Sequence, residues 1–176
     1  MLCTLTKETK DAQDEEAEKS LNALGRQDQG MRLIEAVVDS GTVNSVAPPD
    51  IFDGSLKPSL MSKGGKKYRG PDGSRIPNLG QMDVAFESEE GHRCGLTWQI
   101  ADVERPLVAV SHLSAAGNRV ILEKDGGEVV REETGRKIKL QKKGGVYVMR
   151  LWVAPRKKTS ESDSKEASGF PRLGRS

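Results

Sequence analysis

The stretch from Met31 to Val46, Met-Arg-Leu-Ile-Glu-Ala-Val-Val-Asp-Ser-Gly-Thr-Val-Asn-Ser-Val, constrains the fold more than any other part of the chain. An apolar, β-branched run stops abruptly at Asp39-Ser40-Gly41 and resumes at Val43 and Val46, the pattern of a strand, a tight turn and a second strand. The Asp39 carboxylate then ends a buried strand, directly after Ala36, Val37 and Val38. A charge at such a point is costly unless it is hydrogen-bonded or put to use. Gly41 permits a sharp turn and a close backbone approach, and the hydroxyls of Ser40 and Thr42 can donate to carboxylate oxygens or hold a neighbouring loop. Asp-Ser-Gly is also an ordinary Asx-type turn, so the tripeptide alone leaves both readings open.

The rest of the folded region reads mostly as strands. Asp50 to Gly65 holds Asp53-Gly54, Lys57-Pro58 and Gly64-Gly65 and is expected to be irregular loop. Tyr68 to Pro77 predicts two short strand fragments around a Pro-Asp-Gly turn. Gln81 to Phe86 and Arg93 to Val103 predict a hairpin across Glu89-Glu90-Gly91, with Met82, Val84 and Phe86 alternating on one strand and Cys94, Leu96, Trp98 and Ile100 on the other. Pro106 to Val110 is a short apolar strand, and Ser111 to Ala116 a helical turn closed by Gly117. Four further strands, Asn118 to Glu123, Glu128 to Glu132, Lys137 to Gln141 and Val146 to Val153, form a meander through glycine-bearing turns. Strands this short and regular predict an all-β sandwich or closed barrel with one short helix.

The ends differ in composition. Residues 1 to 29 are a polar tail in which Thr9 to Leu24 forms at most a weak, solvated helix stopped by Gly25, with Gly25 to Gly30 as linker. Residues 156 to 176 are rich in Lys, Ser, Glu and Gly and are expected to be disordered. The folded domain is therefore residues 30 to 155. A hydrophobic fraction of 35% fits a 176-residue chain that is only partly folded.

Charge excludes some functions. With 28 basic and 26 acidic residues the net charge is +2, and the signs are mixed, so nothing global favours nucleic acid or a membrane surface. The basic runs at Lys63 to Arg69 and Arg156 to Lys158 have few interleaved aromatics and read as solvated surface. Cys3 and Cys94 form no CxxC or disulfide framework, which predicts reduced thiols and a cytoplasmic setting. His92 and His112 make no ligand cluster with them, so no metal and no other cofactor is expected. The apolar runs are too short for a spanning helix.

The residues around Asp39 resemble the active-site signature of retropepsin-like aspartic proteases, in which apolar residues precede Asp-Thr/Ser-Gly-Ala and a short apolar strand follows. Thr42 stands where that family usually has Ala. Further on, Pro106-Leu-Val-Ala-Val-Ser-His-Leu-Ser-Ala-Ala-Gly-Asn-Arg-Val-Ile-Leu, followed by Asp125-Gly-Gly-Glu-Val, Thr134-Gly-Arg-Lys-Ile and Gly145-Val-Tyr-Val-Met, resembles the region after the protease motif in Copia-type LTR retrotransposon Gag-Pol polyproteins. The two matches together cover about Leu33 to Trp152, in the family's order.

The resemblance implies an intracellular aspartic endopeptidase that cleaves a retroelement polyprotein. Asp39 would be catalytic and Ser40, Gly41 and Thr42 its loop. Leu107, Val108 and Ala109 would brace that loop from below, with Ala109 where the family prefers Gly or Ser; Leu107, Val108 and Val110 also read simply as core, which is compatible with that role. Tyr68, Gly70, Gly73 and Ile76 mark the candidate flap, which could also be an ordinary exposed hairpin. Peptide hydrolysis of this kind takes two carboxylates sharing one proton, and the chain carries a single Asp-Ser-Gly in the right context. Asp72-Gly73 and Asp125-Gly126 lack the preceding apolar strand. A working site then needs a homodimer, with one Asp39 from each copy. Ser111-His112 has no fixed acid beside it and makes a poor serine hydrolase. The alternative from another class is a decayed or domesticated retroelement β domain that binds peptides or proteins without cleaving them.

Overall fold

The computed structural model describes residues 5–156, with side chains from residue 17 onward. Eleven strands and three helices follow one another as α1 (Leu5–Asp28), β1 (Arg32–Asp39), β2 (Val46–Ala47), α2 (Leu60–Lys63), β3 (Lys67–Arg69), β4 (Arg75–Pro77), β5 (Gly80–Glu87), β6 (Arg93–Ile100), β7 (Leu107–Ala109), α3 (Val110–Ala115), β8 (Asn118–Glu123), β9 (Gly126–Arg131), β10 (Lys137–Lys143) and β11 (Val146–Val153). The expected strands are all present, and the turns at Gly73, Gly91, Gly135 and Gly144-Gly145 fall where the sequence places them, whereas Gly126 and Gly127, expected in a turn, are the first two residues of β9.

Nine strands form one sheet in the order β1-β7-β2-β6-β5-β11-β10-β9-β8, and β11 pairs again with β1 over seven residues. The chain of pairings thus returns on itself. It does so weakly: β5 and β11 share one residue pair, Trp152↔Glu87, and β2 is two residues long. The mainly-β class is what forms. A continuous closed barrel is not, because the sheet curls around its core with seams at those two places. The β3–β4 hairpin stands apart as its own two-stranded sheet.

The core lies on the concave side of the sheet. Trp98, Ile100, Val108, Met149 and Leu151 are fully buried, and Phe52 from the 48–59 loop packs on Trp98 with ring centroids 5.1 Å apart. β1 is the central element. It is flanked by β11 on one side and by parallel β7 on the other, so its backbone groups are paired along both edges at its C-terminal end.

Two expectations need correction. The 50–65 segment is not all loop, because Ser59 caps the short α2 with a reciprocal side-chain pair to Ser62. More consequentially, α1 runs through Gly25, and the expected linker from Gly25 to Gly30 is helix as far as Asp28. Gly30, at φ +73°, ends it instead: the N–H of Gly30 donates to Gln27 O and that of Met31 to Arg26 O, the paired bonds of a glycine-terminated helix. The helix continues because Arg26 is buried. Its guanidinium donates to Glu87 Oε1 at 2.7 and 2.9 Å and to Ser88 O at 3.0 Å, and lies over the Trp152 ring. Anchoring by tertiary contact outweighs the roughly 1 kcal/mol helix penalty of one internal glycine. The expectation of a disordered tail from residue 157 lies outside the described residues.

Candidate active site

Asp39 is the last residue of β1, and the register explains its position. Val37, Val38 and Asp39 stand opposite Leu107, Val108 and Ala109 of parallel β7, so the apolar strand after Pro106 lies directly beside the Asp39 turn. Val108 and Ala109 are fully buried and Leu107 is half-buried. The bracing place and the core place assigned to these residues coincide.

The Asp39 carboxylate is half-buried and holds its own loop. The Gly41 N–H donates to Oδ1 at 2.7 Å and the Thr42 hydroxyl donates to Oδ2 at 2.8 Å. A Cβ on Gly41 would meet Oδ1 at 3.3 Å, so this position has little room for a side chain. Ser40 and Val43 project outward, Val43 at 71% exposure.

Sequence reasoning missed the residues that fix this loop from behind. Ser45 is fully buried; its hydroxyl accepts the Ala109 N–H at 3.1 Å, tying the loop to the end of β7. The Ser45 N–H donates to His112 Nδ1 at 3.4 Å, and His112 Nε2 lies 3.1 Å from Asn44 Oδ1. With Nδ1 accepting, Nε2 carries the proton and donates to Asn44. The Asn44 amide in turn donates toward Met61 Sδ at 3.4 Å, and the Ser111 hydroxyl donates to Val43 O at 3.1 Å. The adjacent Ser111 and His112 therefore bond to different loop residues and not to each other. Their signal was present as a polar pair directly after an apolar strand, which is a bracing pattern as well as a nucleophile pattern.

The β3–β4 hairpin arches over the same region. Asp39, Gly41, Thr42 and Val43 share one groove of about 1030 Å³ with Tyr68, Gly70, Ser74 and Ile76 of the hairpin and with Leu107. Residues 102–105 also line it. The hairpin tip is built by the Gly70 N–H donating to Ser74 O, by Gly73 at φ +81°, and by the Asp72 carboxylate, which accepts the Ser74 N–H at 2.9 Å. Bonds from the Ser74 hydroxyl and N–H hold the Asp72 carboxyl below its ordinary value. At the hairpin base, Asn78 donates to the Tyr68 hydroxyl at 3.1 Å and to Gln99 Oε1 at 2.9 Å, and accepts the Gly80 N–H at 2.8 Å. Burial raises the Tyr68 pKa and the Asn78 bond partly offsets it. All four flap candidates thus lie on one hairpin, and Tyr68, Gly70 and Ile76 line the groove itself. Gly73 sits at the turn.

Among the described residues no group of three His, Cys, Asp or Glu side chains is placed to hold a metal ion, and no helix is long and apolar enough to cross a membrane. Comparison with protein-family models, curated proteins and solved structures finds no match.

Proposed function

We propose that this chain is a retropepsin-like aspartic endopeptidase of the Copia-type retroelement kind, active as a homodimer on polypeptide substrates such as its own polyprotein. The observation that carries this reading is the shared groove: the Asp39 loop, the glycine-bearing hairpin and Leu107 at the start of β7 line one cavity of about 1030 Å³. The parallel pairing of β7 with the end of β1 supports it, because the segment proposed to brace the loop runs beside the Asp39 turn.

In this mechanism two Asp39 carboxylates, one per copy, share a proton. The ionised one takes a proton from a water molecule as its oxygen attacks the scissile carbonyl carbon. The protonated one donates a hydrogen bond to the carbonyl oxygen. Collapse of the tetrahedral intermediate breaks the C–N bond, and the amine leaves with a proton from the pair. The outward-facing Val43, next to the Asp39 turn, is an apolar side chain that a second copy would cover.

A second reading, a non-catalytic β domain that binds peptides or proteins, is favoured by one observation. Both Asp39 oxygens already accept a bond from their own loop, which is also what a purely structural turn does. Cleavage of a mixed peptide library at pH ~4 to 6, the range suited to a shared-proton pair, separates the two. Wild type cleaves and Asp39→Asn does not under the catalytic reading, whereas both are inert and bind peptide equally under the other.

A further inference from the structure

A second cavity, of about 370 Å³, shares no lining residue with the Asp39 groove and serves none of the chemistry above. Its lining comes from β5, β6, α3, β9, β10 and β11: Phe86, Leu96, Leu113, Val129, Ile138 and Met149 make it apolar. Cys94 opens into it half-buried, its S–H directed at His92 O. The Arg93, Arg131 and Arg136 side chains are exposed at its rim, against a single acid, Glu133. Arg131 is engaged, donating to Ala116 O at 2.6 Å and lying 3.8 Å from Glu133. The backbone gap arises from topology. Residues 93–98 of β6 pair only with β5, since β2 reaches no further than Gln99 and Ile100, so the other edge of this segment carries no strand.

An apolar cavity of a few hundred Å³ with a few convergent polar groups is the usual form of a small-molecule site. Here the polar groups are guanidinium forks in excess of acid, which match a carboxylate in a bidentate way. We infer that this cavity binds a small amphipathic carboxylate, a medium-chain fatty acid or a compound of that shape, with its apolar body between β6 and β9–β10 and its carboxylate on Arg93 and Arg136. Cys94, beside the bound chain, reports occupancy. Burial raises the thiol's pKa, with the charges of Arg136 and Arg131 opposing it and that of Glu90 adding to it, which places two guanidiniums and a second acid near the poorly solvated thiol. The site stands whether or not Asp39 is catalytic.

The test uses the full chain, with decanoate, decanol and acetate as probes below the concentration at which decanoate forms micelles. Calorimetric titration measures binding. Iodoacetamide labelling followed by peptide mass spectrometry reads Cys94 separately from Cys3. Decanoate is expected to bind and to slow Cys94 labelling while leaving Cys3 unchanged. Decanol and acetate should bind at least roughly tenfold more weakly, as should decanoate to the Arg93→Gln/Arg136→Gln variant, the size expected for losing a charge-assisted hydrogen bond. The inference is overturned if decanoate does not bind, if it binds without protecting Cys94, or if decanol binds equally well. Retention of full affinity in the double variant, with its fold verified by circular dichroism, overturns the carboxylate assignment.

Discussion

At the residue scale the account turns on side chains that hold the Asp39 loop. Ser45→Ala leaves the Ala109 N–H buried without an acceptor, a loss of about 1–3 kcal/mol that a shift in the urea midpoint will show. The same substitution is expected to reduce peptide cleavage in kcat more than in KM, because Ser45 positions the loop and does not touch substrate. The hairpin tip carries a pH dependence. The Asp72 carboxyl is held below its ordinary value of 3.8 by Ser74, so its ionised form is the one tied to the tip. That tie is complete above 3.8 and is lost as pH falls through the depressed folded value. The protection of the Ser74 amide, its exchange rate taken relative to the intrinsic rate at each pH, should therefore fall in that acid range, and Asp72→Ala should abolish the transition. Asp39 itself was legible because a carboxylate after three apolar residues is conspicuous. Ser45 and His112 were not, since a hydroxyl and an imidazole gain their roles only from residues that the fold brings from more than sixty positions away.

At the scale of elements, local chemistry predicted what local chemistry decides. The meander from β8 to β11 follows from apolar residues punctuated by turns at Asp125, Thr134-Gly135 and Gly144-Gly145, while Gly126 and Gly127, read as part of the first turn, are taken into β9 and paired on both edges. Helix α1 shows the opposite case. Its solvated composition and Gly25 signalled an early stop, and only the tertiary anchor at Arg26 reveals why it extends. Arg26→Ala should strip Glu87 of its partner and cost about 2–3 kcal/mol, less than a wholly buried pair because Glu87 keeps some solvent contact. Denaturant unfolding checks this, and Arg26→Lys should recover only part. Glycines give a paired test in one type of substitution. A Cβ at Gly127 would stand 2.3 Å from Ile121 O across the β8–β9 ladder, so Gly127→Ala should destabilise by about 1–3 kcal/mol. At Gly25 nothing lies within 4 Å and the backbone is helical, so Gly25→Ala should stabilise by about 0.5–1 kcal/mol.

At the scale of the molecule, the fold brings three segments distant in sequence to one groove: the turn after β1, the β3–β4 hairpin and the start of β7. Periodicity revealed each of these as an element. It could not reveal their convergence, because the parallel pairing of β1 with β7 spans about seventy residues and no local pattern encodes it. The weak closure of the barrel was illegible for the same reason, since it depends on a two-residue β2 and a single β5–β11 pair. Catalysis as proposed takes two Asp39 carboxylates, one from each of two copies of this chain. Peptide cleavage is measured against protein concentration and again with Asp39→Asn mixed and re-equilibrated with wild type. The rate is expected to rise with the square of concentration below the dimer dissociation constant, and to fall on mixing with Asp39→Asn as mixed dimers form. Activity retained by Asp39→Asn alone, or a rate per wild-type chain that mixing with excess Asp39→Asn leaves unchanged, contradicts the paired-carboxylate mechanism.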